Sequence, residues 1–369
     1  MKVVVLGTRG FPHVQGGIEK HCEELYPRLV KLGCDVTVFT RTPYIAQQNR
    51  TSEWQGVKFI HLWCPKQKSF EAITHTFLGI LKTRAVSPDI LHIHAIGPSL
   101  LTPLGKLLGL RVIMTHHGPD YERAKWGKLS KAVLMEGERL GISFSDNIIA
   151  ISKGIKEHIK ERYGKQSVFI PNGVSEPSLL QAGEELARWR LEPKRYIFTA
   201  CRFVPEKGLH DLIQAYRLIH DPPFKLVIAG DTDHETDYSK NLKRQAADAS
   251  GVILTGFISG KRLQELYTNA GLFVLPSYYE GLPIALLEAL SYELPVLVSD
   301  IQQHKEIPLR EMRYFKTGNI NSLSSAIMHT YLKGIAESEK EEYRSLIKES
   351  YNWDNIAVKT LSIYKDVVK

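Results

Sequence analysis

The sequence predicts an α/β protein built as two doubly wound parallel-sheet domains. Short apolar runs alternate with amphipathic stretches, and the alternation breaks at a polar stretch around 175–194 before starting again. The length points the same way, because 369 residues exceed what one core usually spans. Strands covered on both faces read as unbroken apolar runs, which is the form taken here.

In chain order, the first half offers KVVVLG (2–7), DVTVFT (35–40), VKFIHL (57–62), DILHIH (89–94), RVIMTH (111–116), NIIAIS (147–152) and SVFIP (167–171) as strands. Between the first two, GIEKHCEELYPRLVKLG (17–33) places Ile18, Cys22, Leu25, Leu29 and Leu32 on one helical face. The second half offers RYIFTAC (195–201), FKLVIAG (224–230), GVILTG (251–256), GLFVLP (271–276) and LPVLVS (294–299). The expected domains are 1–174 and 190–351, with 175–189 as a linker and a final helix in NWDNIAVKTLSIYKDVV (352–368). In such sheets ligands sit beyond the carboxyl ends of the strands, in a crevice, so the residues there carry most weight.

Composition narrows the class. With 43% hydrophobic and 24% charged residues the chain reads as a soluble globular protein, and a cytoplasmic one. No run approaches a membrane span of about 18 apolar residues. Four scattered cysteines (Cys22, Cys34, Cys64, Cys201) form no CxxC pair, which argues against a zinc site or a disulfide framework. Residues 1–180 hold 24 Lys and Arg against 15 Asp and Glu, whereas the remainder hold 24 against 25. The basic excess therefore lies in the first half, which suits an anionic partner such as a phosphorylated substrate or an anionic membrane, or is simply a scatter of surface lysines. No arginine-rich tract or nucleic-acid signature is present, so nucleic acid is not expected.

The strand ends hold the candidate chemistry. In GTRGFPHVQGGIEKH (7–21), Gly16 and Gly17 precede a helix whose amides favour an anion, or they permit a turn. THHGPDYERAKW (115–126) is too polar for a core; His117 in it is a candidate site residue or a cap on the strand end. His92 and His94 share one face of a strand; His92 is read as structural and His94 is left open. In CRFVPEKGLHDLIQAY (201–216), Arg202 and Lys207 lie before a helix and could hold a diphosphate, or be two solvated cations. GDTD (230–233) could hold a metal with a sugar diphosphate, but a strand-end turn is the preferred reading, and no metal is expected. Glu288 in PSYYEGLPIALLEAL (276–290) has apolar neighbours on every side, so the carboxylate needs a partner or a ligand.

Arg202 with Lys207 in RFVPEKG, and Glu280 with Glu288 in EGLPIALLEAL, resemble the signature of glycosyltransferase family 4. The likeness extends through the glycine turn and first helix, IPNGV (170–174), LVIAGD (226–231) and LTGF (254–257); Cys201 departs from the glycine common in the family. The resemblance implies a GT-B fold: two Rossmann-like domains, the donor on the second, the acceptor on the first, and a last helix that crosses back. It also implies a retaining, metal-independent transfer from a nucleotide-diphosphate sugar, with no other cofactor. Arg202 and Lys207 would then stabilise the departing diphosphate while the acceptor attacks from the same face. Glu280 would stand near the donor sugar, and Glu288 would accept the ribose hydroxyls. The amides of Gly281, Leu282 and Ile284 would meet phosphate or sugar oxygens, and Gly256 and Phe257 would hold the base. His117 would serve the donor sugar or the reacting centre, and Gly16 and Gly17 would let the first domain close over the diphosphate.

The acceptor is expected around Asp120, Tyr121 and Arg123, as a glycan or a lipid-linked sugar in envelope polysaccharide assembly. Lys66 and Lys68 near Trp63 and Phe70 could rest on an anionic membrane, or belong to an ordinary domain surface. Two rivals share the donor site: a sugar-nucleotide epimerase, which needs no acceptor, and a non-catalytic binding module. A phosphorylase is disfavoured by the short chain and the lack of any mark of a pyridoxal phosphate lysine.

Overall fold

The computed structural model describes every residue except 46, 48, 49, 68, 69, 123–126 and 233. The chain divides into two units, Met1–Asn172 with Trp353–Lys369, and Gly173–Asn352. Each apolar run named above forms a strand.

The first unit contains β1 (Lys2–Leu6), β2 (Asp35–Arg41), β3 (Glu53–Trp54), β4 (Val57–Leu62), β5 (Ile90–His94), β6 (Val112–His116), β7 (Asn147–Ala150) and β8 (Val168–Phe169). They form one sheet in the order β3-β4-β2-β1-β5-β6-β7-β8, parallel except for the β3–β4 pair. Alternate residues of β1 serve the two faces. Val3 and Val5 join Cys22, Leu25 and Tyr26 of the helix Gly17–Lys31 and Trp353, Ile356 and Tyr364 of the helix Trp353–Val368. Val4 and Leu6 join Ile80 of the helix Glu71–Val86 on the other face. The last helix of the chain is thus part of the first unit's core.

The second unit contains β9 (Tyr196–Ala200), β10 (Lys225–Ala229), β11 (Val252–Gly256), β12 (Leu272–Leu275), β13 (Val296–Ser299) and β14 (Tyr314–Phe315). All are parallel, in the order β11-β10-β9-β12-β13-β14. The order reverses between β9 and β12 here, and between β1 and β5 in the first unit. In each sheet this is where two successive loops leave in opposite directions and open a space for a ligand.

The stretch 175–189, which the sequence leaves as a polar linker, is tied into the second unit. Its residues Glu184–Arg188 form a helix, and the Glu265 carboxylate accepts from the amides of Gly183 and Leu186, at 2.9 Å each. Among the described residues, no helix is long and apolar enough to cross a membrane.

Candidate active site

In the second unit, the residues after β9 and after β12 meet at the reversal. Pro205–Lys207 forms a single tight turn, closed by Gly208 at φ +63. A Cβ on Gly208 would lie 2.1 Å from the Pro276 carbonyl oxygen, so the two loops approach as closely as they do only with glycine there. The Tyr278 amide donates to the Glu206 carbonyl at 2.8 Å and fixes the second loop to the first.

This contact brings Lys207 onto Glu280. The Lys207 Nζ lies 2.5 and 2.6 Å from the two carboxylate oxygens, and the Ser277 hydroxyl donates to Oε1 at 2.7 Å. Glu280 is buried, at 7% exposure. Burial opposes its ionisation, but Lys207, His304 and Ser277 outweigh that and hold the carboxyl below the usual range. His304 donates from Nδ1 to the Ser299 carbonyl at 2.9 Å, and burial pushes its own pKa down to about 4. Arg202 sits half-buried just beyond β9, in the same loop as Lys207. Sequence reading paired Lys207 with Arg202; the structure gives it Glu280 as its direct partner.

The loop runs on into the helix Ile284–Ser291, with Pro283 as the residue that caps it, so Gly281, Leu282 and Ile284 stand at its N-terminus. Leu286, Leu287, Ala289 and Leu290 are fully buried, while Ile284, Ala285 and Glu288 form a narrow half-exposed strip. The helix therefore does have one accessible edge, and Glu288 stands on it. The buried Tyr267 donates its hydroxyl to Glu288 Oε2 at 3.0 Å. Gly256 ends β11, and the Phe257 ring beside it is 42% exposed. Asp231 accepts from the Thr232 amide at 2.8 Å and pairs with Lys243 at 2.9 Å, as a strand-end turn does; Asp233 lies outside the described residues.

In the first unit, the helix Gly17–Lys31, the end of β5 and the loop after β6 gather histidines. His94 Nδ1 lies 2.9 Å from His117 Nε2, and the His21 ring stands 5.4 and 5.1 Å from those two rings. His21 bonds Asn172 Oδ1 through Nδ1 at 2.9 Å. Below them His92 is spent on Thr115 and Tyr364, at 2.6 Å each, as a structural residue. Burial drives the pKa of His94 and of the half-buried His117 well down, and the neighbouring histidines push the same way. The cap on β6 is His116 rather than His117: it donates to the buried Glu138 at 2.7 Å and accepts from the Gly118 amide.

Tyr121 is turned inward, contrary to its expected place in an acceptor surface. Its hydroxyl donates to Glu138 at 3.1 Å, where Tyr163 and His158 also converge. Asp120 is half-buried in the same turn, and Arg123 lies outside the described residues. Gly16 and Gly17 also part company. Gly16 has φ +152, and a Cβ there would lie 2.0 Å from Glu19 Oε2, so it makes room for the buried Arg9–Glu19 pair. Gly17 has open space around it.

Sequence reading missed His21, Asn172, Ser277, Tyr267 and Glu138. Three of them lay inside stretches singled out for other residues, His21 in GTRGFPHVQGGIEKH, Asn172 in IPNGV and Ser277 in PSYYEGLPIALLEAL, whereas Tyr267 and Glu138 left no trace.

Two parallel-sheet units of this topology, each with its polar cluster at the point of strand reversal, have the make-up of a GT-B fold. The solved structures agree. Sucrose-phosphate synthase from Thermosynechococcus elongatus superposes with a TM-score of 0.80 at 20% identity, over 99% of this chain and 98% of that one. HepE from Anabaena, solved with UDP and glucose, gives 0.79 at 15% identity, over 99% and 100%. Residues 15–176 match the family described as Glycosyltransferase Family 4, and residues 184–353 match Glycosyl transferases group 1. The chain belongs to glycosyltransferase family 4. Among its relatives, an uncharacterized glycosyltransferase of Methanocaldococcus jannaschii is 27% identical over 99% of this chain and 98% of its own. A putative teichuronic acid biosynthesis glycosyltransferase of Bacillus subtilis, TuaC, is 26% identical over 74% of each.

Proposed function

We propose that this glycosyltransferase moves a hexose from a nucleotide-diphosphate sugar to a glycan or lipid-linked acceptor, with retention at the anomeric carbon, in polysaccharide or glycolipid synthesis. The observation that carries the donor site is the Lys207–Glu280 pair at the strand reversal of the second sheet. A cation held in place by a buried carboxylate is preorganised for charge that develops on a leaving diphosphate. Arg202 shares that charge, so the diphosphate needs no divalent ion.

Glu280, with one oxygen already taken by Ser277, faces the donor sugar. Glu288 accepts from the ribose hydroxyls while Tyr267 steadies it from behind. The amides of Gly281, Leu282 and Ile284 meet phosphate or sugar oxygens, and the base lies against Gly256 and Phe257. His117 serves the transferred sugar. Asp120 remains a candidate for the acceptor, and Tyr121 acts on it only by holding the turn. UDP in HepE makes a uridine donor the first to test.

A lipid-linked acceptor and a peripheral place on an anionic membrane gain support from the helix Glu71–Val86. Phe77 and Leu81 are exposed on it at 45 and 43%, Phe70 just before it at 61% and Trp63 earlier in the chain at 64%, and the helix also exposes Lys82 and Arg84. Lys66 is exposed as well, whereas Lys68 lies outside the described residues.

The test is product analysis with candidate sugar nucleotides. Transfer predicts release of the nucleotide diphosphate, a new glycosidic bond with the donor's anomeric configuration, and turnover unchanged by EDTA. A changed sugar nucleotide formed without acceptor would identify an epimerase instead. For the membrane, sedimentation with phosphatidylglycerol vesicles should be lost in Phe77→Ser with Leu81→Ser; no sedimentation of the wild type removes that part.

A further inference from the structure

Among the described residues, one cluster has the makings of a metal centre: one ring nitrogen from each of His21, His94 and His117 lies within 4.8 Å of the other two. They come from three different elements, the helix Gly17–Lys31, β5 and the loop after β6, so the convergence is made by the fold and not by local sequence.

We propose that these three imidazoles form a binding site for a divalent transition metal of the zinc class, with the fourth position open. Nitrogen ligands on a tetrahedral zinc lie about 3.3 Å apart, given bonds of about 2.0–2.1 Å. The His94–His117 pair is already at 2.9 Å. The widest spacing has to close by about 1.5 Å from its 4.8 Å limit, which small ring rotations supply.

The hydrogen bonds behind the rings make the case specific. A metal-ligating histidine usually donates its other N–H to a fixed acceptor, which sets the tautomer and aims the lone pair. His21 Nδ1 is set against Asn172 Oδ1, an acceptor, and that leaves Nε2 as the lone pair. His94 Nε2 is set against the Tyr26 hydroxyl, and that leaves Nδ1. Tyr26 also shares a hydrogen bond with Tyr364, whose hydroxyl lies 2.6 Å from His92 Nδ1, so Tyr26 can donate to Tyr364 while accepting from His94. In the metal-free state one proton lies between His94 and His117. Metal binding moves that proton to His117 Nδ1 through solvent, and every ring stays neutral. Neutral imidazole nitrogens suit zinc, cobalt and nickel better than magnesium or calcium, which prefer oxygen.

Occupancy has a functional consequence that rests on the role proposed above for His117. A ring bound to metal is withdrawn from the sugar, so zinc slows transfer while magnesium does not.

The experiment is titration of the full chain with cobalt(II) chloride, read by the visible bands of tetrahedral cobalt, followed by competition with zinc chloride. One cobalt per chain is expected, with the bands bleached by zinc and absent in His117→Asn and His94→Ala. Asn172→Ala and Tyr26→Phe keep all three ligands and should weaken binding about 10- to 100-fold. Circular dichroism checks that each variant is folded; the half-buried His117 is the substitution most easily borne. Folded wild type without tetrahedral bands, or unchanged bands in folded His117→Asn, overturns the site. Stoichiometric cobalt binding with transfer unaffected by zinc leaves the site standing and removes His117 from the reaction.

Discussion

At the residue scale, Lys207 and Glu280 are a coupled pair, and their substitution has to be read as such. Lys207→Met leaves a carboxylate at 7% exposure without its cation, which should cost about 3–5 kcal/mol of stability in addition to any loss of turnover. Glu280→Gln made with it should recover most of that stability but none of the activity. Thermal melts and steady-state rates of the two single variants and the double variant measure both. Full activity in folded Lys207→Met contradicts the assignment. At Glu288 the change with least collateral effect on the fold is Glu288→Gln, whose amide oxygen still accepts from Tyr267 while the charge and one acceptor oxygen are lost. If Glu288 holds the ribose as proposed, Glu288→Ala should weaken nucleotide binding by about 1.5–3 kcal/mol, or roughly 10- to 150-fold, by titration calorimetry.

At the element scale, the helix Trp353–Val368 belongs to the first unit's core although it comes last in the chain. Trp353, Ile356, Ala357 and Tyr364 are buried in it, and Tyr364 bonds His92 at 2.6 Å. Tyr364→Phe removes one partner of a buried bond and should cost about 1–3 kcal/mol in chemical denaturation; no change means that the bond is replaced by another. The elements themselves were legible because parallel, doubly covered strands are unbroken apolar runs. β3 (Glu53–Trp54) and β14 (Tyr314–Phe315) were not, since neither lies in an apolar run, unlike the equally short edge strand β8 (Val168–Phe169) within SVFIP. The helix Glu184–Arg188 was hidden in a polar stretch because what holds it is a carboxylate 77 positions or more away in sequence, Glu265. The site shows the same division. Arg202, Lys207, Glu280 and Glu288 were picked out by motif, yet nothing in the sequence says that Lys207 touches Glu280, or that His21 meets His94 and His117. Those contacts depend on sheet order, and sheet order has no local signal.

For the whole molecule, the buried ionisable groups set one direction of pH dependence. Burial lowers His75 to about 3, with Arg41 adding to it, and His304 to about 4, from ordinary values of 6.5. Folded, both stay neutral as the pH falls; unfolded, both take up a proton below about 6.5. Unfolding then binds protons, so stability declines as pH drops below that point, by up to about 1.4 kcal/mol per pH unit for each group. Glu280 and Glu138 act the same way at lower pH. Their folded values lie below the ordinary 4.5 because lysine and histidine partners outweigh burial, so their contribution is lost as pH falls through and below 4.5. The melting temperature should accordingly fall from pH 7.5 to pH 5 and more steeply below pH 4.5. A melting temperature flat across that range contradicts the buried, neutral state of these histidines.

The donor site is the central claim, and a thermal-shift panel of UDP, GDP, dTDP, ADP and CMP with their common sugar conjugates tests it most directly, run on wild type and Glu288→Ala. A ligand that binds only the folded chain raises stability by about 2.7 kcal/mol at one hundred times its Kd. One nucleotide series should raise the wild-type melting temperature clearly, with the shift reduced or lost in Glu288→Ala. Equal shifts in wild type and variant, or none with any nucleotide, would contradict a donor held between Lys207, Glu280 and Glu288.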